Sequence, residues 1–323
     1  MDLALRPMST SQVLDRTFHI YRNHFVLLAG IGALLPAMLL VLQLTFIPLG
    51  FPPQPDAKIR PELMAIVLLG YVACYAAIYI LGSALTVGAT VFAVSKLHLS
   101  QSATIGESYK QVFSRFWRVL GVILLVSLIV FGAVVVGEII AIVIFALFAG
   151  SLKIFGGGGA VFGVGMILGI IGAVSVFLIG LFGAAFFYCR LSLSIPVCIL
   201  EQQPVGASLQ RAWRLTKDSF WRILLVYLLT WVFSVVLGIV LALPGQAYVL
   251  LAHNKQLIIG LVLQHIGAFI AGVLANPIST TAIALIYYDQ RVRKEAFDLH
   301  LMMEAVGQQS PEPVAIAVPP AIG

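Results

Sequence analysis

Ser11–Gln12–Val13–Leu14–Asp15–Arg16–Thr17–Phe18 is echoed by Gly106–Glu107–Ser108–Tyr109–Lys110–Gln111–Val112–Phe113 and again by Gly206–Ala207–Ser208–Leu209–Gln210–Arg211–Ala212–Trp213. The copies start 95 and then 100 residues apart. After each comes apolar sequence long enough to cross a bilayer twice. The pattern predicts an all-α integral membrane protein of six transmembrane helices, built as three repeats of an amphipathic helix plus a transmembrane hairpin. The repeats fall at about 9–98, 104–190 and 204–290 within a membrane domain 1–304.

Composition points the same way. Of 323 residues, 61% are hydrophobic and 10% charged, with a mean hydropathy of +1.05. Soluble domains carry about 25% charged residues, and this chain has too little polar surface to cover a water-soluble fold. Residues 1–24 hold Asp2, Arg6, Asp15, Arg16, His19 and Arg22 with no apolar run between them. The first apolar segment, Phe25–Leu49, is too long for a signal-peptide core and reads as a retained anchor. Cys74, Cys189 and Cys198 have no metal or disulfide spacing and read as apolar packing residues.

Apolar runs at about 25–49, 64–95, 119–150, 160–189, 220–243 and 257–288 each exceed the ~20 residues that span hydrocarbon. With no water to satisfy the backbone there, they must be helices. Fifteen Lys/Arg fall in the segments on one side of these runs, against Lys58, Arg60, Lys153 and Lys255 on the other. The positive-inside rule then places both termini in the cytoplasm of a bacterial inner membrane. The net charge of +6 is a membrane-facing belt and asks for no nucleic-acid partner. Several runs are long for one bilayer, so these helices either protrude on the outer side or break there. Pro48, Pro52, Pro53, Pro55, Gly156–Gly159 and Pro244 are placed for breaks.

The repeated short helices are amphipathic. Ser9 with Gln12 fits a capping box. Leu14, Phe18, Tyr21 and Phe25 share one helical face in the first copy, and Leu209, Trp213, Thr216 and Phe220 share the matching face in the third. Such a helix lies in the headgroup plane, either as an elbow for the next span or as a lipid or partner surface. Repeats entering the membrane the same way round are related by an axis along its normal in some transporters, and these three are expected to be so.

Leu5–Arg6–Pro7–Met8–Ser9 through Phe18 resembles the start of the bacterial membrane-domain family of glycerophosphoryl diester phosphodiesterases. Ile195–Pro196–Val197, Leu200–Glu201, Ala207–Thr216 and Phe220–Trp221–Arg222 resemble its central motif, and Ala284–Glu295 its ending. The resemblance covers about 5–304 and implies a multi-pass membrane domain. Where the family often has Ser, this chain has Ala212, which puts a hydroxyl role there in doubt. The family's name comes from members with an attached catalytic barrel. This sequence has no such barrel, so no enzymatic activity is carried over.

Candidate functional residues follow from polarity inside apolar runs. Glu138 reads either as a helix-end residue near the outer boundary or as a buried functional acid, and His265 lies at a similar height. Asn276 and Pro277 fall near mid-membrane. Pro277 frees the carbonyl of Val273 and is expected to kink its helix, with Ser279, Thr280 and Thr281 re-satisfying the backbone. Gly165, Gly169 and Ala173 form a small-residue stripe suited to close packing. Arg190, Glu201, Arg211 and Trp213 flank the central basic loop, where charge-paired anchoring is expected. The remaining histidines have no metal spacing, and no phosphate or dinucleotide fingerprint is present. No cofactor is expected. Membrane lipids are the expected partners, with a membrane protein or a second copy as further candidates. Residues 305–323 read as a disordered Pro/Ala-rich tail. The expected role is structural, anchoring or accessory in membrane or envelope processes. The alternative is a transporter or lipid-binding permease with a cavity between the repeats.

Overall fold

The computed structural model describes residues 8–47, 61–154, 159–251 and 257–295. Pro48, Pro52, Pro53, Pro55, Lys58, Arg60, Gly156–Gly158, Lys255, the stretch beyond Glu295 and the Pro-rich tail lie outside the described residues. The described secondary structure is helical: α1 (Thr10–Asn23), α2 (Phe25–Gly32), α3 (Leu34–Phe46), α4 (Pro61–His98), α5 (Ile105–Phe113), α6 (Phe116–Ile154), α7 (Gly159–Leu191), α8 (Ser194–Leu200), α9 (Val205–Leu215), α10 (Phe220–Leu251) and α11 (Leu257–Glu295). Five segments are long and apolar enough to cross a bilayer: Glu62–His98, Phe116–Phe148, Gly165–Leu200, Phe220–Leu251 and Leu257–Glu295. Helices α2 and α3, bent by 41° at Ala33, pass the same test as a pair.

The short helices begin as the sequence predicts. Ser9 caps α1 by accepting from Gln12 N, and the Gln12 side chain returns the bond to Ser9 N at 2.8 Å. Thr104 caps α5 by accepting from Glu107 N. Ser100, Gln202 and Asp218 take left-handed φ values of 59°, 59° and 67° in the turns after α4, α8 and α9. These turns reverse the chain at the end where the basic residues cluster, called here the basic end.

The buried face of each short helix lies beside the aromatic stripe rather than on it. Helix α1 buries Val13, Thr17 and Ile20, whereas Phe18 and Phe25 are 43% and 44% exposed. Helix α5 buries Ser108 and Val112; helix α9 buries Ser208, Ala212 and Leu215. Aligned on Phe18, Phe113 and Trp213, the positions five and one before are buried in all three helices, and the position two after is buried in α1 and α9. Small or hydrogen-bonded side chains let these helices lie close on the core: Thr17 Oγ1 donates to Val13 O at 2.7 Å, and Ser108 Oγ donates to Thr104 O at 2.8 Å. The large aromatics face outward, with Trp117, Phe113 and Trp221 the most exposed at 80%, 73% and 71%. In water an aromatic stripe points to the core. At a membrane interface Trp and Phe are stable facing lipid, so apolarity alone does not say which way a helix faces. Thr216, which shares the stripe of Trp213, is buried and donates to Arg190 O at 3.0 Å and Ala212 O at 2.9 Å.

The core occupies the basic end. It is made by residues of α1 and α2, the last turns of α4, the start of α6, the end of α7 with α8, and facing residues of α9, α10 and α11. Tyr109 ties α5 to α2 by donating to Ile31 O at 2.6 Å. Burial pushes its phenol up to about 12, partly offset by nearby Thr86, so it stays a neutral donor. Away from this end the helices pack mainly in pairs, α6 with α7 and α10 with α11. No residue of 62–81 in α4 is buried, and in 165–183 of α7 only Gly169 is.

The closest approach within the α6–α7 pair is at Gly137 and Gly180, and Gly169 of the Gly165–Gly169–Ala173 stripe also packs against α6. A Cβ on Gly137 would sit 2.7 Å from Gly180 Cα, whereas one on Gly169 meets Phe148 Cβ at 3.1 Å. Helix α11 runs through Pro277 as one continuous helix. The Pro277 ring fills the space left by Gly32 on α2, where a Cβ would lie 2.4 Å from Pro277 Cγ. Thr280 and Thr281 donate to the carbonyls of Asn276 and Pro277 rather than to Val273 O.

Gly180→Leu should force α6 and α7 apart and cost about 1–3 kcal/mol by overpacking. Gly132→Leu, on the same pair with open space around it, should leave the detergent melting temperature unchanged.

Candidate functional site

Two constructions at and above the basic end are candidates: a polar network that ties the chain's described ends together, and a partly open cavity between the long helices.

The network centres on Asp289, whose side chain has no exposed surface. Its Oδ1 accepts from Met8 N at 2.7 Å; its Oδ2 accepts from Arg222 Nη1 at 2.5 Å and Arg293 Nε at 3.0 Å. Asp289 and Arg293 are one helical turn apart on α11, so one helix face supplies both. Arg222 and Arg293 also donate to Met8 O. A second cluster joins α8, α9 and α11. Arg211 pairs with Glu201 at 3.1 Å and Glu295 at 2.5 Å, and Tyr287 Oη donates to Glu201 Oε1 at 2.9 Å. Burial pulls the Arg211 guanidinium down, but the hydrogen bonds and charges of Glu201 and Glu295 outweigh it and hold the group above its ordinary value.

The cavity has a volume of about 220 Å³. Its wall draws on α3, α4, α6, α7, α8, α10 and α11, so each long helix pair contributes. Eleven of its eighteen lining residues are Ser, Thr, Tyr or Asn, and none carries a charge. Some hydroxyls are committed to the backbone: Ser83 to Ile80 O, Ser192 to Cys189 O and Ser194 to Leu191 O. Tyr79, Ser127, Asn276 and Ser279 line it without a hydrogen bond from their side chains among the described residues. Tyr188 and Tyr227 meet edge-on there at 5.1 Å. Tyr227 Oη is buried, with Ser192 and Tyr188 near it but outside hydrogen-bond geometry.

The residues singled out from sequence are distributed across these features. Asn276 lines the cavity, and Pro277 packs beside it against Gly32. Glu201 and Arg211 form the expected ion pair. Arg190 joins no carboxylate among the described residues; its guanidinium stacks over Trp213 at 4.6 Å and Phe186 at 5.5 Å. Glu138 is exposed beside a groove of Ala141, Ile142, Phe145, Ala173, Val174 and Phe177. That groove belongs to α6 and α7 alone, and no hydrogen bond or ion pair joins Glu138 to half-buried His265 on α11. No group of three or more His, Cys, Asp or Glu suited to a metal occurs among the described residues. Cys74 is exposed; Cys189 and Cys198 are buried, all as free thiols.

Sequence reasoning missed Asp289, Arg222 and the cavity tyrosines. Asp289 looked like a residue just past the last span, and its partners lie 67 and 281 positions away in the chain. The tyrosines of α4 carried a local signal: Tyr71, Tyr75 and Tyr79 recur every four residues on one helix face.

Asp289→Ala should destabilise the protein by about 3–5 kcal/mol, because it leaves the buried face of Arg222 without its counter-charge. Glu107→Ala, which removes the more exposed partner of Lys96, should change stability by about 0–1 kcal/mol. Thermal unfolding in detergent separates the two.

No curated protein and no solved structure matches this chain. The matching family model is the membrane domain rather than the catalytic part of its namesake enzymes. Residues 166–312 match the model of the membrane domain of glycerophosphoryl diester phosphodiesterase, so the family resemblance read from the sequence holds over the part of the chain running from α7 through α11.

Proposed function

We propose that this chain is a six-crossing inner-membrane protein whose central cavity binds a small amphiphilic molecule, as a lipid-binding module or permease. The observation that carries this reading is the cavity, with polar groups from every long helix pair converging above the ion-paired end. A sealed apolar core would have favoured a purely anchoring or accessory role. Pockets that bind small molecules are concave, with polar groups converging on an apolar wall; this one sets eleven polar side chains among seven apolar ones within the span-forming helices.

The crossing number is supported by where the ends meet. Met8, before α1, bonds to Asp289 near the end of α11, and Ser95 near the end of α4 meets Tyr288 at 2.5 Å. Ends that meet share a side of the membrane, which needs an even number of crossings and favours reading α2–α3 as a bent sixth span. The basic residues concentrated there favour the cytoplasm for that side. The shared burial register of α1, α5 and α9 supports the three-repeat reading, in which each unit is an amphipathic helix followed by a hairpin.

Two measurements test this. In a cysteine-free background, a cysteine at Ser100 should react with a membrane-impermeant maleimide only after the cells are opened; reaction in intact cells would invert the topology. Native mass spectrometry of the chain extracted in mild detergent should show retained amphiphile that Asn276→Leu with Tyr227→Leu reduces severalfold and Glu138→Gln leaves in place. Equal retention in all three would sink the cavity as the binding site.

A further inference from the structure

Resting on the cavity reading, we propose that the ligand is an amphiphile with an uncharged, hydroxyl-rich head group, which enters from the outer half of the membrane along the tyrosines of α4. The cavity wall holds no Asp, Glu, Lys, Arg or His. An ionised head group would lose its hydration there with no counter-charge in the wall, a penalty of several kcal/mol even with partial compensation. A wholly apolar ligand is disfavoured for the opposite reason, since it would leave Tyr79, Ser127, Asn276 and Ser279 without partners in a low-dielectric site. Hydroxyls and an amide both donate and accept. Their complement is another set of groups that do both, which describes alcohol functions rather than phosphate or carboxylate oxygens.

Size and surroundings narrow the class. A volume of about 220 Å³ corresponds to roughly seven waters at about 30 Å³ each, the scale of one sugar ring or a short polyol. The rest of the wall is Leu35, Val87, Ile123, Val126, Leu191, Ile195 and Ile283. Toward the outer side, α4 buries none of residues 62–81, so a hydrocarbon tail can leave the cavity beside lipid-facing helix surface.

The route is marked by aromatic contacts. Tyr71 and Tyr75 stand 6.1 Å apart, and Tyr75 stacks on Tyr79 at 6.4 Å. Tyr79 then reaches the cavity, where Tyr188 and Tyr227 continue the series onto α7 and α10. At ~1.5 Å per residue, Tyr71 to Tyr79 covers about 12 Å along α4. Each phenol offers an apolar face and a polar tip, so the series provides successive hydrogen-bonding stations through an otherwise apolar layer.

The full chain is placed in phosphatidylcholine nanodiscs containing either a glucosyl-diacylglycerol or phosphatidylglycerol, each with the same photoreactive acyl chain. The expected result is labelling of α4 and α11 peptides by the glucosyl lipid, competed by its unlabelled form and not by free glucose. Asn276→Leu with Ser279→Ala should lower that labelling at least fivefold at an unchanged melting temperature. Changing Tyr71, Tyr75 and Tyr79 to Phe should slow the approach to full labelling severalfold. Preferential labelling by phosphatidylglycerol would overturn the uncharged head group while leaving the cavity a ligand site. Competition by free glucose would overturn the amphiphile in favour of a soluble sugar. An unchanged labelling rate in the Phe variant would overturn the route. Failure of every lipid and of glucose to reach the cavity peptides would overturn the cavity reading itself.

Discussion

A carboxylate with no exposed surface must be paired, and the pairing of Asp289 sets the geometry of the basic end. Its partners are the backbone of Met8 ahead of α1, Arg222 at the start of α10, and Arg293 one turn further along α11. The attraction is strong only while both charges are sheltered and their remaining hydrogen-bonding capacity is filled. Here the two guanidiniums also reach Met8 O, so the cationic partners are held by two acceptors rather than one. The chain's start is thereby fixed to its last long helix.

The second ion cluster acts beside it. Glu201 accepts from Arg211 and Tyr287, and Arg211 also reaches Glu295, joining α8, α9 and α11. With these contacts gathered at one end, the long helices are packed there as a common core and elsewhere chiefly in pairs. Gly137 and Gly180 keep α6 and α7 in contact, and Pro277 against Gly32 seats α11 on the bent α2–α3 pair. The polar cavity lies where those pairs meet above the core, which is why residues of seven helices contribute to one wall.

In lipid, a helix gains little by turning an apolar side chain inward, because the hydrocarbon outside is as apolar as the protein inside. What selects the inward face is close approach and hydrogen bonding. That explains why α1, α5 and α9 bury Val13, Thr17, Ser108, Ser208 and Ala212 while Phe18, Phe113 and Trp213 face out. Glu138 is exposed on α6 rather than held in a polar centre, and Arg190 rests on the faces of Trp213 and Phe186 in place of a carboxylate.

The sequence by itself determined the membrane class, the long apolar helices, the Ser9–Gln12 cap, charge pairing around the central basic loop and the family resemblance. Each is written in composition, in residues close along the chain, or in a motif. Asn276 was legible as a polar residue at mid-membrane, but its role as part of a wall was not. The tertiary structure alone decided which face of each short helix is buried, that Asp289 joins both ends of the described chain, and that scattered Ser, Thr and Tyr residues line one uncharged cavity. Those features depend on residues tens to hundreds of positions apart. In an apolar solvent, hydrophobic periodicity carries too little free-energy difference between faces to foretell which of them will meet.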